Sequence, residues 1–435
     1  MTSVFSIYRS CAFALVLCAT SAIPAMAQTP PPALAPPLRL TLKDALSLAA
    51  DNDPRLQGQT FAAAAADARR AQANLRPPLV VAAEVENILG TDRLATFNDV
   101  DATLSLGTTL ELGGKRAARV SRAEREKDAL LIAQRAERLD VFAEVARRFV
   151  AVLRDQAVAA VADENRALAL RVQEIVAARV ATGNASPVEK HNAEVARIQA
   201  ELARTTAAAV FREEWGRLVS AWGGSPDSRG EVVGELFATP AIGSFAALQA
   251  RIDDNPDILR FATERRVREA AVTAAEAAAT PDVDVALGVR RVQAARGQAL
   301  VLSASVPLNA GTRAAPMADE ARHQLAGLAF DERNLRNETL GTLHGLIQRA
   351  EGAATALGLL QTGAIPAARQ AQDEAETAFR AGRSSLLELS AAQQQLLDLR
   401  RAAIDAAAEY HGLVIEIERL IGASITPATT ETRAP

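Results

Sequence analysis

The sequence predicts a mixed membrane protein, internally duplicated, whose four β-strands belong to a barrel shared between copies and whose long helices fold into hairpins. Three observations lead there. A series of motifs recurs about two hundred residues downstream. Each series holds two stretches in which apolar and polar residues alternate. Each is followed by a helical stretch too long for an ordinary globular domain.

The front of the chain reads as an export signal. Arg9 is the only charge before residue 38, and an apolar run follows from Cys11 to Ala19. That run is shorter than the ~20 residues that span a bilayer. Ala25-Met26-Ala27 supplies small residues at a cleavage site, so 1–27 is expected to be a signal peptide, with a membrane anchor as the alternative. Leu17 before Cys18 is too bulky for a lipoprotein cleavage site. Both cysteines, Cys11 and Cys18, then leave with the signal, which suits an oxidising compartment. Residues 28–40 form a Pro-rich, extended segment. No later stretch has ~18 uninterrupted apolar residues, so an exported chain of this kind is soluble or a β-barrel.

The duplication follows. Ala45–Pro54 recurs as Ala247–Pro256, Leu104–Leu112 with Gly113 as Leu302–Ala310 with Gly311, and the segment around Gly183 as that around Gly382. The first repeat covers 41–223, a linker 224–243, the second repeat 244–423, and a polar tail 424–435.

In the first repeat, strands are expected at about 79–89 and 99–112. Val100, Ala102, Leu104, Leu106, Leu110 and Leu112 alternate with Asp99, Asp101, Thr103, Ser105, Thr109 and Glu111, and Thr108 is the polar exception on the apolar face. Val81, Ala83, Val85 and Leu89 alternate less cleanly upstream. In the second repeat, strands are expected at about 282–291 and 299–308. Val283, Val285, Leu287 and Val289 form one apolar face, and Leu300, Leu302, Ala304, Val306 and Leu308 the other. Period two over this length fits a transmembrane strand with one face to lipid and one to a wet lumen. A half-buried hairpin of a soluble sheet is the alternative. Aromatic girdles are missing, with Phe97 the nearest candidate. Leu104, Leu106, Leu110, Val285, Leu287, Leu300 and Leu302 are the expected lipid-facing residues. Four strands cannot close a barrel, and an open edge in lipid leaves backbone groups unpaired. Two copies would supply eight strands and three would supply twelve.

From Lys115 to Thr182 the chain contains neither Pro nor Gly, and a helix over that stretch would run about 100 Å at 1.5 Å per residue. Phe142, Val145, Phe149 and Val152 keep the spacing of a coiled-coil seam. The second long helix is expected from Met317 to Ala381. Leu340, Leu343, Ile347, Ala350, Ala354 and Leu357 form its seam, and Gly341, Gly345, Gly352, Gly358, Gly363 and Pro366 weaken it locally. Gly183 and Gly382 suit the left-handed turn that ends a helix. Ser186 and Ser385 suit the cap of the returning helix, and Pro187 its first turn.

Other chemistries are excluded or weak. With 48 basic and 52 acidic residues there is no nucleic-acid footprint. His191, His323, His344 and His411 lie on separate segments without metal-ligand spacing, so neither a metal site nor a cofactor is expected. No nucleophile elbow or phosphate loop is present. Gly113-Gly114-Lys115 lacks the upstream glycine and sits where a strand becomes a helix, so no catalytic residue is assigned.

The order strand, strand, long helix, tip, returning helix, written twice, resembles the TolC-like outer-membrane efflux channels over essentially the whole chain after the signal. The tip motifs that carry the resemblance are Gly183, Ser186, Val188 and Glu189, and Gly382, Ser385, Leu387 and Glu388. The resemblance implies a homotrimer with a twelve-stranded barrel and a periplasmic α-barrel in the outer membrane of a Gram-negative bacterium. It also implies tips that meet a periplasmic adaptor (membrane fusion) protein and an inner-membrane efflux pump. Glu84–Leu89 and Leu110–Arg116 are similar to the branch serving heavy-metal cation pumps of the resistance-nodulation-division class. Drug efflux by the same family and a soluble periplasmic scaffold or adaptor stay open. Glu189 and Glu388 are candidate aperture acids, since carboxylate rings favour cations. The alternative is exposed first-turn acids that suit the helix dipole. A second acid expected three residues on is Ala391 in the second copy.

Overall fold

The computed structural model describes residues 38–88 and 100–422. The expected signal peptide, most of the Pro-rich segment, Leu89, Phe97, Asp99 and the tail 424–435 lie outside the described residues.

Strand β1 (Leu38–Thr41) leads into α1 (Leu42–Asn52). Thr41 caps α1 through a reciprocal box with Asp44. Asp53 then caps α2 (Pro54–Ala73), its side chain accepting from the Arg55 N–H while Pro54 takes the first turn. Far along the chain, Asn255 and Pro256 do the same for α6 (Pro256–Ala277), after a short α5 (Phe245–Gln249). Asp53 and Asn255 are both fully buried, as side chains committed to backbone donors can be.

Between α2 and α6 come β2 (Val80–Glu86), β3 (Asp101–Leu110), α3 (Lys115–Ala181), α4 (Pro187–Ser220) and β4 (Gly230–Val233). After α6 follow β5 (Val283–Val292), β6 (Gly297–Ser305), α7 (Ala310–Leu359), a π-helical turn (Leu360–Ala364), α8 (Ile365–Arg380) and α9 (Leu386–Leu420). The four amphipathic strands form one antiparallel sheet in the order β2-β3-β5-β6, open at both edges. Each strand is within three residues of its expected bounds at either end, the largest offsets being β2, which ends at Glu86, and β6, which ends at Ser305.

Helix α3 is a single unit of 67 residues. Val145, Phe149 and Val152 are buried, and Phe142 packs against them. They pack with Trp215 and Leu218 of α4, Leu357 of α7, and Ile404 and Ala407 of α9. A second cluster seats Leu343, Ile347 and Ala350 of α7 against Tyr410, Leu413 and Ile417 of α9, with Leu340 and Ala354 at its margin. Both predicted seams thus face partner helices.

Three features differ from the sequence expectation. The 224–243 linker is not plain linker, because β4 within it pairs in parallel with β1, Leu40 opposite Val232. Four-residue strands are too short to show a period, and Gly230 is required because a Cβ there would meet the Trp215 ring at 2.2 Å. Helix α7 starts at Ala310, before Pro316, instead of at Met317. Pro316 is the seventh residue of α7 and forgoes one internal hydrogen bond, to the Thr312 carbonyl, which the long helix around it tolerates. The glycine-weakened region stays helical and takes up its strain as the π turn directly ahead of Pro366.

Candidate functional site

Two regions bear on function, the sheet and the hairpin tips. In the sheet, strand pairing aligns the expected lipid-facing residues in rows. Val81 stands opposite Leu106, Leu106 opposite Leu287, and Leu287 opposite Leu302. Leu104, Val289 and Leu300 form the next row, and Thr108 faces Val285. Leu104, Leu106, Leu110, Leu287, Leu300 and Leu302 are all exposed, Leu302 by 78%, while Val285 is half-buried. The polar exception Thr108 is satisfied locally, its hydroxyl donating to the Pro78 carbonyl at 3.3 Å.

The other face is polar. Arg290 donates from Nε to Thr103 Oγ1 at 2.8 Å and pairs with Glu86 at 3.2 Å. Thr109 donates to Asp284 at 2.6 Å. Where β3 enters α3, Gly113 takes φ +68°, and a Cβ there would meet Thr280 at 2.5 Å. This close approach lets Asp282 accept from the Leu112 N–H at 3.1 Å and pair with Lys115 at 2.7 Å. The Gly-Gly-Lys segment is therefore a strand-to-helix corner.

At the tips, Gly183 and Gly382 take φ +77° and +71°. Behind each, the chain closes on the helix end by the same bond, Asn184 N–H to Arg179 O and Arg383 N–H to Ala378 O, both 2.8 Å. Ser186 accepts from the Val188 N–H at 3.1 Å, and Pro187 opens α4. Ser385 accepts from the Glu388 N–H at 3.2 Å, and Glu388 accepts from the Ser385 N–H at 3.0 Å. Glu388 is exposed and held in this box. Glu189 is half-buried, with one carboxylate oxygen buried and without a hydrogen-bond partner among the described residues. Val188 and Leu387 both point outward, Leu387 being 79% exposed.

Sequence reading missed what joins the two tips. Arg179 lies 4.4 Å over the Phe379 ring and donates to the Phe379 carbonyl at 2.9 Å and the Asn184 carbonyl at 3.2 Å. Phe379 is fully buried with Val172, Val176, Ala193, Leu386 and Leu389. No local pattern marks a contact between residues two hundred positions apart.

The histidines remain scattered. His411 lies 2.8 Å from the Leu236 carbonyl, His344 packs edge-on to Phe245, and His191 is 4.0 Å from Glu194. Among the described residues no group of three His, Cys, Asp or Glu is placed to hold a metal ion. None of the described helices is long and apolar enough to cross a membrane.

Residues 45–224 match the family model described as outer membrane efflux protein. The chain is also 29% identical over 391 residues to the cobalt-zinc-cadmium resistance protein CzcC of Cupriavidus metallidurans, covering 88% of this chain and 90% of that protein. Over residues 45–224 this chain is therefore similar to the outer membrane efflux proteins. A second relative, the nickel-cobalt-cadmium resistance protein NccC of Alcaligenes xylosoxydans, is 29% identical over 297 residues, 68% of this chain and 64% of NccC. Among solved structures, the outer-membrane channel OprN superposes with a TM-score of 0.72 at 16% identity, covering 88% of this chain and 90% of OprN. The family that this segment matches is one of outer-membrane efflux proteins, a transport role rather than a catalytic one.

Proposed function

We propose that three copies of this chain close a twelve-stranded barrel over a tall periplasmic tube of helices, and that the assembly passively conducts heavy-metal cations out of the periplasm. The observation that carries this reading is the four-stranded sheet with one exposed apolar face and two open edges. Such a sheet is stable in lipid only when neighbouring copies pair its edges. The cargo is read from the names of CzcC and NccC, resistance proteins for cobalt, zinc and cadmium and for nickel, cobalt and cadmium. A duplicated plan, with repeats at 41–223 and 244–423 joined through 224–243 and a signal peptide ahead of them, supplies two strands and one hairpin from each repeat.

Transport in this scheme needs no bound cofactor and no tight metal site. Energy comes from an inner-membrane pump of the resistance-nodulation-division class, reached through a periplasmic adaptor. Gly183, Ser186 and Val188, with Gly382, Ser385 and Leu387, form the adaptor-contacting tips. Exposed Val188 and Leu387 offer the apolar contacts. Glu189 and Glu388 line the periplasmic aperture.

A deletion strain challenged with zinc, cobalt and cadmium salts and with lipophilic drugs tests the cargo. The expected result is metal sensitivity restored to resistance by the plasmid-borne gene, with drug tolerance unchanged. Sensitivity to drugs alone would replace metals with drugs as cargo. Recovery of the protein wholly in soluble periplasm would favour the scaffold reading instead.

A further inference from the structure

The two edges of the sheet, β2 and β6, are where copies would meet, and residues inside one chain indicate how. Strand β3 pairs with β5 at the junction between the two strand pairs, Leu104 opposite Val289 and Leu106 opposite Leu287. Within each pair the ladders correspond, since Val81 faces Leu106 and Val285 faces Ala304. In this correspondence Leu106 of β3 matches Ala304 of β6, and Val285 of β5 matches Val81 of β2.

We infer that β6 pairs with β2 of the partner subunit in the register that β3 keeps with β5, so that Leu302 stands opposite Val85 of the partner subunit and Ser303 opposite Glu84 of the partner subunit. This rests on the shared-barrel reading proposed above and adds the register to it. The same register sets Val306 opposite the partner's Val81 and Leu308 opposite the partner's Leu79. Leu308, three residues past the end of β6, is 98% exposed and Leu79, next to the start of β2, is 70% exposed in the single chain. Pairing extends both strands and gives each leucine an apolar neighbour.

Barrel geometry supports the register independently. Stepping across the sheet leads from Val81 to Leu106, Leu287 and Leu302. The inferred pairing then returns to β2 at Val85, four residues along. With ~3.3 Å rise per residue and ~4.8 Å between strands, four residues over four strands is a tilt of about 35°. Outer-membrane barrels tilt by ~35–45°. A slip that sets Ser303 against the partner's Ala82 lowers the tilt to about 20°, outside that range. The opposite slip, against the partner's Glu86, gives about 46° but sets Leu302 opposite the partner's Asn87. Asn87 has φ +60°, a left-handed conformation that ends the strand.

Cysteine trapping tests this on the full chain in its own membrane. The sequence holds Cys11 and Cys18 only, both ahead of residue 28, and single-cysteine variants control for them. Paired strand residues lie within the ~4.4–6.8 Å Cα separation that a disulfide accepts, whereas a two-residue slip moves them beyond it. Oxidation of a Ser303→Cys/Glu84→Cys variant is expected to replace the monomer band with covalent dimer and trimer. Val301→Cys/Glu86→Cys reports the same register should the first pair fail to assemble. Stronger trapping by Ser303→Cys with Ala82→Cys or with Glu86→Cys would overturn the register and leave the shared barrel standing. No interchain product from any pair in membrane-inserted protein would remove the shared barrel itself.

Discussion

Glu388 combines two roles that a single substitution separates. Its carboxylate closes the cap of α9 with Ser385, and in the proposed channel its charge faces the aperture. Glutamine serves a capping box as well as glutamate does. Glu388→Gln is therefore expected to assemble normally while its channels lose cation preference in reversal-potential measurements. Ser385→Ala, by contrast, should cost about 1 kcal/mol of tip stability, the usual loss of an N-cap. Unchanged selectivity in Glu388→Gln would leave its carboxylate a helix cap only. A second residue-scale prediction concerns Glu418, whose carboxyl burial raises from an ordinary 4.5 to about 7, opposed in part by Arg251. The folded state then holds the proton more tightly than the unfolded chain, so stability falls as pH rises from 4.5 through 7. Glu418→Gln removes that fall. It should be more stable than the parent at pH 8 by on the order of 1 kcal/mol, after discounting for partial solvent screening, with the gap closing near pH 4. A gap that stays constant across unfolding curves at these pH values would show that the carboxyl is not raised. The tip caps Ser186 and Ser385 and the turn glycines Gly183 and Gly382 were legible in sequence because each acts on its own neighbours. Arg179 over Phe379 was not, because only the packing of two hairpins brings them together.

At the scale of elements, legibility followed length. Helix α3 could be read to within a residue, because a long stretch without proline or glycine leaves little else to form. The four amphipathic strands showed through their period. Strands β1 and β4 did not, since four residues pairing far apart in sequence carry too little pattern. Pro316 misled because proline is costly inside a helix, yet α7 carries it in its second turn and continues for more than forty residues beyond. The strand faces yield an element-scale prediction. Leu106 lies mid-strand, flanked in its row by Val81 and Leu287. Arginine there would place a charge near the bilayer midplane, costing ~2–4 kcal/mol per copy. Leu106→Arg should sharply reduce recovery of heat-stable oligomer from outer-membrane fractions. Normal assembly of that variant would take Leu106 off the lipid face.

At the scale of the whole molecule, the number of copies decides whether there is a channel at all. Two copies would supply eight strands, and an eight-stranded barrel is only about wide enough for its own side chains to fill. The polar face of this sheet is built to leave space instead. Ala82 stands opposite Ser105, Ser105 opposite Gly288, Gly107 opposite Ala286, and Ala286 opposite Ser303. A Cβ on Gly107 would lie only 3.0 Å from Ala286, and one on Gly288 only 2.9 Å from Ser105, so the middle of that face admits little beyond what it carries. Small side chains would leave an eight-stranded interior unfilled, which a packed barrel does not tolerate. They suit a wider, water-filled lumen, and twelve strands provide one. The helices agree, because α3 alone runs about 100 Å and needs neighbours along that whole length to cover its flanks. Native mass measurement of the detergent-purified protein should therefore give three copies, and planar-bilayer recordings of the same sample should show ion conduction. A two-copy species would overturn the twelve-stranded barrel, whatever register its strands adopt.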